Sequence, residues 1–215
     1  MSQKFIIPHN GIIKEKDRCK LNNQKSTILW FTGLSCSGKS TLAYKVEERL
    51  FLRGLHTYVL DGDNIRAGLN NNLGFSAEDR QENIRRIGEV AKLFVDAGVI
   101  VMAAFISPYE RDRERVRSIV EEKEFVEVYV RCPLAVCENR DTKGLYKKAR
   151  AGILKKFTGI DAPYEEPENP ETIIDTDKLT IKESVDKIIY YLEENGYIKP
   201  KKSLQQQKTE KITTY

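Results

Sequence analysis

Gly33-Leu34-Ser35-Cys36-Ser37-Gly38-Lys39-Ser40 follows the apolar run Ile28-Leu29-Trp30-Phe31 and precedes Thr41-Leu42-Ala43. A strand, a glycine-bounded loop and a helix start, in that order, are the setting of a phosphate-binding P-loop. The glycines let the backbone curl so that successive N–H groups face an anion, and the helix N-terminus adds its partial positive charge. In this reading Gly33 to Thr41 wrap the phosphates of a nucleoside triphosphate. Lys39 reaches the β- and γ-phosphates, and the Ser40 hydroxyl coordinates Mg²⁺. The loop does not say where the γ-phosphate goes.

Working outward, the apolar stretches read as strands at Ile28–Thr32, 57–60, 99–105, 125–130 and 172–174. Helices are expected from the P-loop to about Leu52, from near Ala77 to Gly98, from about Tyr109 to Val120, after Pro133, and over 181–192. In the second of these, Ile84, Ile87, Val90, Ala91, Phe94 and Val95 line one face. Val99 to Phe105 is apolar throughout, as a parallel strand buried on both faces would be. Alternating strands and helices predict an α/β fold, a parallel sheet with helices on both faces. Ligands of such sheets bind beyond the carboxyl ends of the strands. The P-loop, a turn at Asp61-Gly62-Asp63-Asn64 and the segment Ile106-Ser107-Pro108 all fall on that edge. Residues 141–170 are rich in Lys, Gly, Pro and acidic groups with no strong period, and read as a mobile lid.

The composition suits a single domain with short tails. Of 215 residues, 40% are hydrophobic, enough for a core, and 32% are charged, which indicates a well-solvated surface. Residues 1–27 read as a polar, irregular arm. The net charge of +4 gathers partly at the end, where Lys199, Lys201, Lys202, Lys208 and Lys211 face Glu210 alone. A basic tail over 198–215 could touch nucleic acid or acidic lipid, but its polar composition favours disorder, and neither partner is expected. No apolar run approaches the roughly 20 residues that span a bilayer. Cys19, Cys36, Cys132 and Cys137 form no C-x-x-C pair and read as reduced thiols of a cytoplasmic protein.

Phosphoryl transfer needs positioned substrates, a metal ion and cations against the equatorial oxygens. Lys39, Arg66, Arg80, Lys143, Lys147, Lys148 and Arg150 lie in segments that reach the inferred edge. Asp63 can organise the metal or accept a proton from the acceptor, with Asp61 in support. The same two carboxylates could also merely cap a turn.

Together these stretches resemble the adenylylsulfate kinase (APS kinase) family of P-loop kinases. The matching residues are 28–41, Asp61-Gly62-Asp63-Asn64-Ile65-Arg66, 72–80 with Asn83, 104–109, 138–152 and Phe157-Thr158-Gly159-Ile160-Asp161. The likeness runs unbroken over about residues 5 to 195. It implies ATP- and Mg²⁺-dependent phosphorylation of the 3′-hydroxyl of adenosine 5′-phosphosulfate, as part of sulfate activation. It also implies a homodimer working with a separate ATP sulfurylase. Phe75 and Phe157 resemble two aromatic faces that sandwich the acceptor's adenine, worth roughly 1–3 kcal/mol per stacked base. Arg66, Arg80 and Asn83 resemble contacts to the phosphosulfate and ribose. Ile106 and Ser107 stand at the transfer site, Lys143, Gly144 and Leu145 close over both ligands, and Arg140 flanks the ATP adenine. The family tradition makes Ser107 a phosphoserine intermediate. Direct in-line transfer is simpler, with Asp63 orienting the 3′-hydroxyl.

Two departures stand out. Cys36 occupies a mid-loop position where the family often has glycine or alanine, so oxidation or alkylation there is expected to block ATP. Ala67 stands where the family commonly has histidine. The rival readings are another small-metabolite or nucleoside kinase, a P-loop switch protein and an inactive homologue. No Asn-Lys-x-Asp guanine motif is present, and Lys39, Ser40, Asp63 and Arg66 are intact.

Overall fold

The computed structural model describes Ile7, His9 and residues 11–200. The expected disorder of the basic tail therefore falls almost entirely outside the described residues. Five parallel strands, β1 (Thr27–Thr32), β2 (Thr57–Asp61), β3 (Ile100–Ala104), β4 (Phe125–Arg131) and β5 (Thr172–Asp175), form one sheet in the order β2-β3-β1-β4-β5. β1 is central and all six of its residues are buried, which explains why its sequence is an apolar run rather than an alternation.

The two faces of that run are covered by different helices. Leu29 and Phe31 pack with Leu42, Ala43, Val46 and Leu50 of α2 (Lys39–Phe51) and Val185, Ile188, Ile189 and Leu192 of α8 (Ile181–Glu194). Ile28 and Trp30 pack with Ile84, Ile87, Ala91 and Val95 of α4 (Ala77–Asp96) and Val116 of α5 (Glu110–Arg117). Each such side chain contributes about 1.5–3 kcal/mol on burial, so the two layers hold the strand ends in place. Ser76 caps α4 by accepting from the Asp79 amide at 3.1 Å, and Thr180 with Glu183 forms a capping box on α8.

Four expectations are corrected. Among its described residues the arm ahead of β1 is not irregular throughout, because it contains α1 (Glu15–Asn22), which docks through Arg18 on Asp96 and through Asn22 on the Gly98 carbonyl. The Asp61–Asn64 turn is the start of a short helix, α3 (Gly62–Ala67), capped by Asp61. The segment 141–170 contains α7 (Leu145–Arg150), whose Tyr146 and Lys147 amides are held by the Asp141 carboxylate at 3.0 Å. The helix expected from Tyr109 to Val120 ends at Arg117. The helix after Pro133 is α6 (Leu134–Arg140).

Candidate active site

The P-loop crosses the carboxyl end of β4 so closely that Gly33 has no room for a side chain. A Cβ there would lie 2.5 Å from the Val130 carbonyl oxygen, and its φ is +150°. Gly38 opens α2 at φ +104° and Cys36 sits at φ +59°, so the loop doubles back before the helix begins. The loop is braced from outside. Tyr146 donates to the Ser35 carbonyl at 3.0 Å, Thr176 donates to the Ser37 carbonyl at 2.7 Å, and Arg140 donates to the Thr176 carbonyl at 2.6 Å. Lys39 is buried, and its ammonium donates to the Leu34 carbonyl at 2.6 Å. Burial lowers its pKa to about 8.

Across from the loop, β2 ends at Asp61, whose Oδ1 accepts from the Asp63 amide at 3.1 Å. Its Oδ2 is buried without a hydrogen-bond partner. The Asp63 carboxylate is met by the Lys143 ammonium from the 141–170 segment. That hydrogen bond raises the Lys143 pKa. The Arg66 guanidinium lies 4.5 Å and that of Arg80 5.9 Å from the centroid of the exposed Phe75 ring. Both guanidiniums are shifted down by burial, Arg66 also by the Arg80 charge beside it. Arg80 reaches the far segment as well, donating to Thr158 at 2.8 Å and to the Lys156 carbonyl at 2.6 Å. Asn83 is buried, and its Oδ1 accepts from Asn70 at 3.0 Å.

Phe157 is only 8% exposed, packed edge-on against Tyr146 beside Cys132, Cys137 and Ala149. The segment around it, Lys155-Lys156-Phe157-Thr158-Gly159, is polar, which makes burial hard to arrange. The Asp161 carboxylate answers this by taking the Lys156 and Phe157 amides, so the backbone turns inward with its donors satisfied. Ser107 lies at φ +39° with its hydroxyl inside the wall, accepting from Trp30 Nε1 at 3.1 Å and donating to Thr32 at 2.9 Å. The Ile106 carbonyl accepts from Thr32 at 2.8 Å.

One cleft of about 1050 Å³ runs between these groups. Such a volume lies at the upper end of ligand pockets. Of the residues expected at the site, all line it except Gly33, Leu34, Ser37 and Gly144, and of the candidate cations Lys147, Lys148 and Arg150 also lie outside it, Arg150 being paired with Glu138. The first three are the underside of the loop, and Gly144 caps α7 at φ +65°. The cleft also takes in Tyr44, Thr176, Leu179, Ile181 and Ser184, which sequence reasoning missed. Tyr44 stands one helical turn after Ser40 and accepts from Asn64 at 3.1 Å, so helical spacing could have found it. Thr176 follows the last residue of β5, where the strand-end rule pointed.

The residues that would hold Mg²⁺ suit it chemically. Ser40 and the carboxylates of Asp61 and Asp63 are hard oxygen donors, and the unpartnered Asp61 Oδ2 adds a second carboxylate oxygen to the expected pair. Among the described residues no group of three or more His, Cys, Asp or Glu could hold a metal.

A P-loop that opens into one large cleft at the strand ends of a parallel sheet is the arrangement of a P-loop kinase. A family model described as adenylylsulphate kinase matches residues 25–175. A probable adenylyl-sulfate kinase of Halalkalibacterium halodurans is 62% identical over 191 residues, covering 89% of this chain and 95% of the relative. An adenylyl-sulfate kinase of Geotalea daltonii is 60% identical over 193 residues, 90% and 95% of the two chains. The Mycobacterium tuberculosis APS kinase, solved in complex with AMPPNP and APS, superposes with a TM-score of 0.76 at 46% identity, covering 79% of this chain and 99% of that one. The chain belongs to the adenylylsulphate kinase family.

Proposed function

We propose that this chain transfers the γ-phosphoryl group of ATP to the 3′-hydroxyl of adenosine 5′-phosphosulfate, giving 3′-phosphoadenosine 5′-phosphosulfate and ADP. The carrying observation is the single cleft, with the P-loop at one end and Phe75, Arg66 and Arg80 at the other. Asp63, Lys143 and the Ile106–Ser107 segment lie among its lining residues.

In this reading the loop amides and Lys39 hold the triphosphate, and Arg140 braces the ATP end through Thr176. Bound magnesium, held by Ser40 with Asp61 and Asp63, would neutralise charge on the phosphate oxygens. Phe75 and Phe157 stack the acceptor's adenine, and Arg66, Arg80 and Asn83 bind its phosphosulfate and ribose. Asp63 accepts a hydrogen bond from the 3′-hydroxyl and aims it in line with the γ-phosphorus, while Lys143 and Leu145 shield the pair from water. The Ser107 hydroxyl is committed to Trp30 and Thr32 inside the wall, which supports direct transfer over a phosphoserine. Cys36 lines the cleft, which supports sensitivity of ATP binding to thiol reagents.

The acceptor must come from an enzyme that joins sulfate to the adenylyl group of ATP, and a separate ATP sulfurylase fits that need. No helix of the described residues is long and apolar enough to cross a membrane, in keeping with a cytoplasmic enzyme. The test is turnover of adenosine 5′-phosphosulfate with ATP and Mg²⁺ beside gluconate, shikimate and nucleoside monophosphates. Only the first should be phosphorylated. Turnover of a control with the adenylylsulfate inert would refute the reading.

A further inference from the structure

Behind the cleft wall, a buried charge network reaches the residue at the proposed transfer point. Arg113 on α5 is 1% exposed, as buried as the core of the sheet. Its Nη1 donates to the Ser107 carbonyl at 2.9 Å. Its Nε stands 2.7 Å from Glu127 Oε1 on β4, a close charge contact off the hydrogen-bond line. One turn along α5, Arg117 reaches the same Glu127 at 3.4 Å and Glu171 at 2.6 Å, and Glu171 accepts from the Glu127 amide at 2.6 Å.

Stability alone is a poor reason for such a pair, because apolar residues of similar volume usually do as well or better. Burial pushes the Glu127 carboxyl up, against the pull of Arg113 and Arg117, so the desolvation is substantial. Meanwhile Ser107 holds a left-handed backbone at φ +39°, a conformation that persists outside glycine only when its surroundings impose it. Trp30 and Thr32 fix its side chain. Its neighbours are tied too, the Ile106 carbonyl by Thr32 and the Pro108 carbonyl by the Glu165 amide at 2.8 Å. The Ser107 carbonyl is held as well, and Arg113 is its donor.

We propose that Arg113 is a positioning residue for phosphoryl transfer, whose hydrogen bond to the Ser107 carbonyl holds the Ile106–Pro108 segment where the acceptor hydroxyl must sit. Glu127 offsets the buried charge of Arg113, and the hydrogen bond to Ser107 is what positions the segment. The inference rests on the proposed reading of the cleft as the transfer site. Arg113 touches neither substrate, so its loss should slow the chemical step rather than weaken the ATP end.

The test compares Arg113→Met/Glu127→Leu, Glu127→Gln and Arg113→Lys with the parent enzyme. Readouts are kcat, KM for each substrate, ADP affinity by calorimetry and thermal melting. The double variant replaces the pair with apolar residues and leaves no lone buried charge. Its kcat should fall roughly 10–100-fold, as about 1 Å of misplacement costs, with KM for ATP and ADP affinity unchanged. Glu127→Gln keeps the Arg113 donor and should stay close to the parent, and Arg113→Lys should recover part of the loss. Parent-level kcat in a double variant that binds ADP normally would overturn the proposal. So would a Glu127→Gln variant as slow as the double one. If the double variant does not bind ADP, Arg113→Gln takes its place, keeping a polar partner for Glu127 while being too short to reach Ser107. The same two results then decide. A parent enzyme inert toward adenosine 5′-phosphosulfate would instead strike the reading of the site, and ADP affinity tells the two failures apart.

Discussion

Lys143 donates to the Asp63 carboxylate, so the 141–170 segment and α3, just past the end of β2, meet across the cleft at one charge pair. The two side chains are 56% and 71% exposed, and surface pairs of this kind contribute only about 0–1 kcal/mol. Lys143→Met should therefore leave the melting temperature nearly unchanged. It should lower kcat by roughly 10–100-fold, because the acceptor's orienting carboxylate loses its partner and the reacting oxygens lose a cation. Steady-state kinetics beside a thermal melt check both halves, and a large stability loss with normal kcat would be the contrary result.

Lys39 couples stability to pH. Its folded pKa of about 8 lies below the 10.5 of the free side chain, so the unfolded chain binds more protons between those values. The cost of burying the charge is present in full below about pH 8 and disappears as pH rises toward 10.5. Lys39→Met removes that cost, on the order of 3 kcal/mol at pH 7 before the lost bond to Leu34 is subtracted. The variant should outlast the parent in denaturant at pH 7, with the gap narrowing by pH 10, and should turn over at least about 10³-fold more slowly. A gap that is constant with pH would contradict the burial argument.

Ser107→Ala leaves Trp30 Nε1 without its acceptor, a cost of about 1–3 kcal/mol. Direct transfer needs no nucleophile there, so the variant should keep most of its turnover. Mass spectrometry of the parent during turnover should find no phosphate on Ser107. Abolished activity in a folded variant, together with phosphorylated Ser107 in the parent, would restore the covalent route.

Gly33→Ala places a methyl 2.5 Å from the Val130 carbonyl and 2.9 Å from Ser37 Oγ, at a positive φ. Gly38→Ala meets nothing nearer than 3.7 Å and pays only for its φ of +104°. The first should cost several-fold more ATP affinity than the second, measured by calorimetry. Equal losses would mean that β4 does not confine the loop.

The sheet and most of the cleft were legible because their signals are strong. An apolar run into a glycine loop and a helix start fixed β1 and α2, and the strand-end rule gathered Asp61, Asp63 and Ser107 on one edge. The misses have physical causes. The α1 helix has no buried residue and α3 and α7 are six residues each, so none shows an apolar period. Thr176 lay one residue past a strand that the sequence ended too early. Phe157 was placed in the cleft, but its burial depends on Asp161 taking two backbone amides, a tertiary detail that composition does not carry. Glu127 could have been suspected, since a carboxylate inside the otherwise apolar run from Phe125 to Val130 needs a buried partner. Which arginine answers it is a matter of packing.

The central claim is that donor and acceptor share one cleft and that the γ-phosphoryl passes straight between them. The most direct measurement uses ATP made chiral by isotope at its γ-phosphorus, with adenosine 5′-phosphosulfate as acceptor, and reads the configuration of the new 3′-phosphate. A single in-line displacement gives inversion. Retention, which requires two displacements through an enzyme-bound phosphate, would contradict it.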